Sequence, residues 1–352
     1  MRLPKSAGLV ALAFALAAAA ALIFLTPRHD RGGPPPGPRA LQEAWPGRKP
    51  VDIPAPLADG PLYSPVLFLD DGASLGTAPS PDGTHLRLLR RAANGDVRQL
   101  RRLPIASSPQ FAGFAVDGSR VAWAEQSVGR SEMWSVDLAT GTPARRLTAD
   151  AGDVVFVASD YDLVIADGRL RWASVAPGAE AATELRSVPL TGGTMTVQRE
   201  AGQWAMSRRP WLVSAGGGET GPVALRDPVA KRTLTVDTGG GELATCSPTW
   251  CRVLVLGADG PTRIDLMRPD GADRRRVAGG AATPSLIDVA VLERFEVLDD
   301  NQQLFLYDLV SRKTVQVGEG IGLVSYRAGT LWWSTGTDET TVWHALDLRT
   351  LA

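Results

Sequence analysis

Between Tyr63 and the end of the chain, hydrophobic positions fall in short stretches of period two separated by turn residues. The clearest stretch is Val121–Thr148, VAWAEQSVGRSEMWSVDLATGTPARRLT. Val121, Trp123 and Glu125 alternate with Ala122 and Ala124, and Met133–Leu138 alternates again, which is the pattern of a pleated strand with no competing period of 3.6. Asp137 and Gly141 then supply turn chemistry: an Asp side chain can bond backbone two residues on, and Gly tolerates positive φ. The stretch predicts strand, loop, strand, turn, strand.

Other stretches repeat this grammar. A first unit has Ser80-Pro-Asp-Gly83, then HLRLLRR from His85 and DVRQLRRL from Asp96. A second has Ala115-Val-Asp-Gly118 ahead of the stretch above, which sets Asp82 against Asp117 at a spacing of 35. Later units carry strands near Tyr161, Pro210, Cys246, Arg294 and Gly329. Their third strands are expected to end at Asp137, Pro189, Asp227, Arg268, Asp308 and Asp347, with separations of 52, 38, 41, 40 and 39. Four short strands repeated about every 40 residues are the signature of a β-propeller. The prediction is an all-β propeller of seven four-stranded blades over 45–352, with six or eight as the neighbouring counts. The seventh unit stops at Leu351 after its third strand, so Val51–Pro54 is expected to complete that blade and close the ring into one cooperative domain.

The N-terminal residues break the pattern. Ala7–Leu25 is 19 uncharged, almost wholly apolar positions preceded by Arg2 and Lys5. As a helix it would span about 28 Å, close to the hydrocarbon thickness of a bilayer. It ends in bulky Leu22-Ile-Phe-Leu25 rather than a small-residue cleavage site, so the expectation is a transmembrane signal-anchor helix at 7–25, with 1–6 in the cytoplasm. Residues 26–44, rich in Pro and Gly, read as a spacer. The propeller would then lie outside the cytoplasm on a single-pass protein; secretion after cleavage is the alternative.

Composition changes this picture little. The 37 basic residues balance 38 acidic ones to a net charge of -1, which argues against a nucleic-acid partner. Lysine occurs only at four positions, and a GC-rich coding bias explains the arginine excess better than phosphate recognition does.

Candidate chemistry is sparse. Cys246 and Cys251, in CSPTWC, are the only cysteines; a disulfide across a turn between antiparallel strands is favoured over free thiols and over a metal site, for which His29, His85 and His344 are too scattered. No cofactor is expected. A Ser-His-Asp arrangement needs an oriented histidine and no G-x-S-x-G elbow is present. Asp82, Asp117, Asp137 and Asp270 read as turn residues, and the glycine runs at 216–218 and 239–241 lack the strand-to-helix setting of a phosphate loop. Trp123, Trp134, Trp172 and Trp343 are expected to pack between blades. Trp204, Arg208, Arg209 and Trp211 form the one aromatic and basic cluster outside the repeats and are the candidate partner contact, against the plainer reading of a solvated strand end. The loops Ala176–Thr183, Ala215–Gly221 and Gly336–Thr341, joining second to third strands on one rim, are the expected binding face.

Ser80-Pro-Asp-Gly83, and Trp134-Ser-Val-Asp137 with Arg145-Arg-Leu-Thr148, resemble the WD40-like repeats of TolB-type propellers, over residues 65–350 or so. In TolB an α/β domain precedes the propeller and the protein is freely periplasmic; this chain departs from that pattern in having no room for the α/β domain and in its expected anchor, so a membrane-anchored TolB-like protein is the closest description. The fold, the anchor and the missing catalytic set lead to the expectation of a non-enzymatic module that binds a protein or envelope component. Two alternatives stand beside it: an envelope glycan or peptide hydrolase or lyase with carboxylates converging in the channel, and a ligand-sensing propeller of a signalling system.

Overall fold

The structure, a computed structural model, describes residues 37–215, 222–258 and 260–351. The expected anchor helix at 7–25 lies outside the described residues, as does most of the spacer; among the described residues no helix is long and apolar enough to cross a membrane.

The described chain opens with β1 (Arg39–Ala40), the single turn α1 (Leu41–Ala44) and β2 (Val51–Pro54). Blade 1 is β3 (Ser64–Phe68), β4 (Ser74–Pro79), β5 (His85–Arg91) and β6 (Val97–Pro104). Blade 2 is β7 (Gln110–Asp117), β8 (Arg120–Ser127), β9 (Arg130–Asp137) and β10 (Arg145–Thr148). In blade 3 the inner strand is interrupted: β11 (Asp153–Val154) and β12 (Leu163–Ala166) both pair with β13 (Arg169–Val175), which leads to β14 (Ala182–Pro189) and β15 (Thr196–Ala201). Blade 4 is β16 (Trp204–Met206), β17 (Leu212–Ser214), β18 (Val223–Asp227) and β19 (Arg232–Val236). Blade 5 is β20 (Glu242–Cys246), β21 (Cys251–Gly257), β22 (Gly260–Met267) and β23 (Arg275–Gly279). Blade 6 is β24 (Thr283–Pro284), β25 (Phe295–Asp300), β26 (Gln303–Asp308) and β27 (Lys313–Glu319). Blade 7 is β28 (Ile321–Arg327), β29 (Thr330–Thr335) and β30 (Val342–Asp347), completed by β2.

Seven sheets therefore make a seven-bladed propeller, and β2 pairs antiparallel with β30, Asp52 opposite His344, as the closure argument required. The expected third-strand ends also hold: Asp137, Pro189, Asp227, Asp308 and Asp347 terminate β9, β14, β18, β26 and β30, and Arg268 follows β22. One alignment does not. Ser80-Pro-Asp-Gly83 joins the second and third strands of blade 1, whereas Asp117-Gly118 joins the first and second of blade 2. Asp82 and Asp117 thus occupy opposite rims, because two hairpins with the same turn chemistry cannot be told apart by sequence.

Packing explains the alternation in β8. All of Val121–Glu125 is buried, so the period of two separates bulky from small rather than inside from outside. Val121 and Trp123 fill the interface with blade 1, while Ala122 and Ala124 let the side chains of blade 3 approach. Apolar clusters recur at each of the seven interfaces between neighbouring blades, including Phe68, Trp332 and Trp343 between blades 7 and 1. Trp123, Trp172 and Trp343 sit in them as expected, and Trp134 is half-buried beneath the Arg101 guanidinium.

The last residues assigned to the spacer fold onto blade 6. β1 adds parallel to the outer strand β27, Leu41 of α1 enters the core between blades 6 and 7, and Trp45 meets Phe295 edge-on at 5.9 Å.

Candidate functional site

Two departures from the repeat shape the central channel. In blade 3, residues 155–162 leave the ladder between β11 and β12. In blade 6, residues 285–294 replace what is elsewhere a short turn between first and second strands. The blade 6 segment lies on the rim of the first-to-second-strand turns, and the blade 3 segment, which leaves the middle of its inner strand, reaches Ala328 on that same rim, opposite the rim expected from sequence to carry binding.

The two segments grip each other across the channel. The Ser159 hydroxyl donates to Asp288 Oδ1 at 2.6 Å and the Asp160 amide donates to Asp288 Oδ2 at 2.8 Å. Asp160 Oδ1 accepts from the Ala328 amide of blade 7 at 3.0 Å, and Arg327 Nη1 donates to the Phe114 carbonyl of blade 2 at 2.8 Å. Asp162 turns back on its own segment and accepts from the amides of Val157 and Ser159 at 3.0–3.1 Å. Phe156 packs over Gly113, where the inner strand β7 bulges with φ +49; a Cβ there would meet the ring at 2.7 Å. Only glycine fits that position.

Three carboxyl groups thus converge, but no hydrogen bond joins any two of them. Burial pushes the carboxyls of Asp160 and Asp288 above the usual range, and that of Asp162 up to about 6, with the amide donors working the other way. Burial likewise raises the Tyr161 phenol to about 12 and that of Tyr326 further.

Beside this closure lies a cavity of about 380 Å³ walled by blades 4 and 5 and by both segments. Part of its wall comes from β16 and β17, strands of only three residues each. Val289, Ala290 and Val291 anchor the blade 6 loop in the core, while Ile287 and Leu292 of the same loop, with Val157 opposite, form an apolar collar 37–44% exposed. Ala158, Ala290, Leu292 and Glu293 all have φ between +52° and +64°. Such backbone is uncommon for residues with side chains; Ala290, Leu292 and Glu293 line this cavity and Ala158 the neighbouring one, so the fold gives up local ease for shape where the two segments meet the channel. A second cavity of about 660 Å³ occupies the channel toward blades 1, 2 and 7.

The aromatic and basic cluster is split by the fold. Trp204 starts β16 at the far rim, its indole donating to the Ala201 carbonyl at 2.7 Å. Arg208, in the turn after β16, forms an ion pair with Glu293 across the cavity mouth. Arg209 reaches Asp167 of blade 3 at 3.0 Å, and Trp211 lies beneath Arg232 at 4.7 Å. Only Arg208 of the four lines the cavity. Cys246 and Cys251 are cross-strand partners joined in a disulfide, and Cys246 forms part of the cavity wall.

His344 is held at both ring nitrogens, by Asp52 at 2.7 Å and by the Thr335 hydroxyl at 2.8 Å. The order hydroxyl, imidazole, carboxylate is that of a relay. None of the three lines a cavity described here, and the contacts tie β2 to β29 and β30. Among the described residues no three His, Cys, Asp or Glu side chains are placed to hold a metal ion.

Sequence reasoning missed Asp160, Asp162, Asp288 and Glu293. The signal was present: Ser159-Asp-Tyr-Asp162 interrupts a strand pattern with three polar groups, and Ser285–Arg294 is too long and too apolar for a hairpin turn.

No family model matches the chain, and no curated protein matches it. Solved structures do resemble it in fold. A puromycin-hydrolyzing peptidase of Mycobacterium tuberculosis superposes with a TM-score of 0.55 at 14% identity, covering 91% of this chain and 56% of its own. An uncharacterized protein of Listeria monocytogenes EGD-e gives 0.51 at 10% identity, covering 82% of this chain and 93% of its own. At such identities the likeness is one of fold.

Proposed function

We propose that this is a non-enzymatic, TolB-like binding propeller, tethered to the membrane outside the cytoplasm, that recognises a protein or envelope component. Its recognition face is the rim bearing the cavity and its apolar collar. The observation that carries the reading is the use made of the converging carboxylates. Asp160, Asp162 and Asp288 are each engaged by main-chain amides, and by Ser159, that hold the cavity wall in shape. An acid and base acting on substrate would instead aim two carboxyls at one point, and of these three only Asp288 lines the cavity. Exposed apolar side chains around a preformed cavity suit binding.

The alternative of a glycan or peptide hydrolase draws on the same convergence, in particular the raised carboxyl of Asp162. Photocrosslinking in intact cells separates the two. A crosslinker replacing Leu292 is expected to give a discrete adduct that one replacing Glu180, on the opposite rim, does not. Turnover of a glycan or peptide by the purified protein, abolished by Asp162→Asn, would overturn the binding reading. For the tether, mass spectrometry of the mature N-terminus decides: a new terminus after about residue 20 means a cleaved signal.

A further inference from the structure

The cavity carries more information than its location. Its walls are mainly aliphatic, from Met206, Val213, Leu243 and Val289 among others, and its collar exposes Val157, Ile287 and Leu292. Three charged side chains line it: Arg208, Glu293 and Asp288. Arg208 and Glu293 neutralise each other at the mouth. Asp288 is left over. Its partners are the Ser159 hydroxyl and the Asp160 amide, and among the described residues no cationic side chain lies within ion-pair distance of it. Of the two nearby guanidiniums, Arg252 is paired with Glu296 and Arg327 donates to the Phe114 carbonyl, and both act on Asp288 only from beyond ion-pair distance. Two tyrosine side chains, Tyr161 and Tyr326, line the same cavity.

An apolar enclosure with one carboxylate that lacks an ion-pair partner, and aromatic rings at its wall, is complementary to an apolar body bearing a single positive charge. A neutral ligand would leave Asp288 without an ion-pair partner, and an anionic one would be repelled by it. We propose that this cavity is a binding site for small cationic amphiphiles, aliphatic or aromatic molecules with one ammonium group, which sits against Asp288 while the apolar part fills the space between blades 4 and 5. This rests on the cavity-bearing rim being a recognition face, but binding of a small amine to purified protein is read independently of any adduct in cells, so either can fail alone.

The experiment compares two fluorophores on the purified protein. Dansylcadaverine carries a primary ammonium at the end of its chain; dansyl-6-aminohexanoate carries a carboxylate at the corresponding end. Dansylcadaverine is expected to bind saturably with blue-shifted emission, and roughly tenfold or more tighter than its anionic counterpart, the worth of one charge-assisted hydrogen bond. Ala244→Phe, which fills the cavity from β20, is expected to abolish that binding. Asp288→Asn is expected to remove the preference for the amine while retaining the apolar contribution. Should that variant fail to fold, competition on the wild-type protein serves instead: octylammonium displaces the dye and octanoate does not. Equal affinity for the two fluorophores, no saturable binding, binding unchanged by Ala244→Phe, or displacement by both competitors alike would overturn the proposal.

Discussion

Arg252 of blade 5 and Glu296 of blade 6 form a buried ion pair, Nη1 to Oε1 at 2.7 Å, with side chains only 5% and 0% exposed. Both also hold the blade 6 loop: Arg252 donates to the Ile287 carbonyl at 3.3 Å and Glu296 Oε2 accepts from the Ala290 amide at 2.9 Å. Removing one partner strands the other charge in the interior. Glu296→Gln is therefore expected to lower stability by about 3–5 kcal/mol. The double variant Arg252→Met with Glu296→Leu should cost less than either single change, as urea denaturation would show.

Asp162 makes stability depend on pH in an unusual direction. Burial raises its folded pKa to about 6, so between its unfolded value near 4 and that point the folded protein keeps a proton the unfolded chain has released. Stability from this group is full below the unfolded pKa and declines as pH rises through about 6. Relative to wild type, Asp162→Asn should gain on the order of 2–3 kcal/mol between pH 4 and pH 7.5. Parallel urea titrations at the two pH values measure the difference; a constant offset would refute it.

Leu292 sits at φ +56° with its side chain 44% exposed. Glycine accepts that backbone freely, so Leu292→Gly is expected to stabilise the protein by about 1 kcal/mol. The same change removes part of the apolar collar. A higher melting temperature combined with weaker dansylcadaverine binding is the expected pair of results.

The seam of the ring separates packing from polar contact. Trp343 is buried between blades 7 and 1, its indole donating to the Tyr63 carbonyl at 2.8 Å. Trp343→Ala should cost about 3–5 kcal/mol. Asp52, paired with His344 but 68% exposed, is worth far less, and Asp52→Asn should change stability by under about 1 kcal/mol. Calorimetry of the two variants tests the contrast.

The ring was legible because its rules are local and repeated. Bulky residues such as Trp123 alternate with alanines every second position, and an Asp ends the third strand of blades 2, 4, 6 and 7. Closure by Val51–Pro54 followed from the need to leave no open edge. The candidate site was not legible, because it is made where repetition fails. Asp160 meets Ala328 and Asp288 meets Ser159 across more than a hundred residues, with no period to announce either contact. The cluster at Trp204–Trp211 looked like one surface because its members are neighbours in sequence. A three-residue strand followed by a tight turn was enough to send them to different faces.

The pairing of β2 with β30 also sets a schedule. Asp52 and His344 are 292 residues apart, so during synthesis the first strand of the seam emerges long before its partner exists. Through that interval β2 is an unpaired edge, and its sequence, Val51-Asp-Ile-Pro54, suits the wait: the carboxylate discourages lateral association and the proline lacks one ladder donor. The seventh blade is then the last part of the molecule to form, and every nascent or truncated chain is an open arc until the final strand arrives.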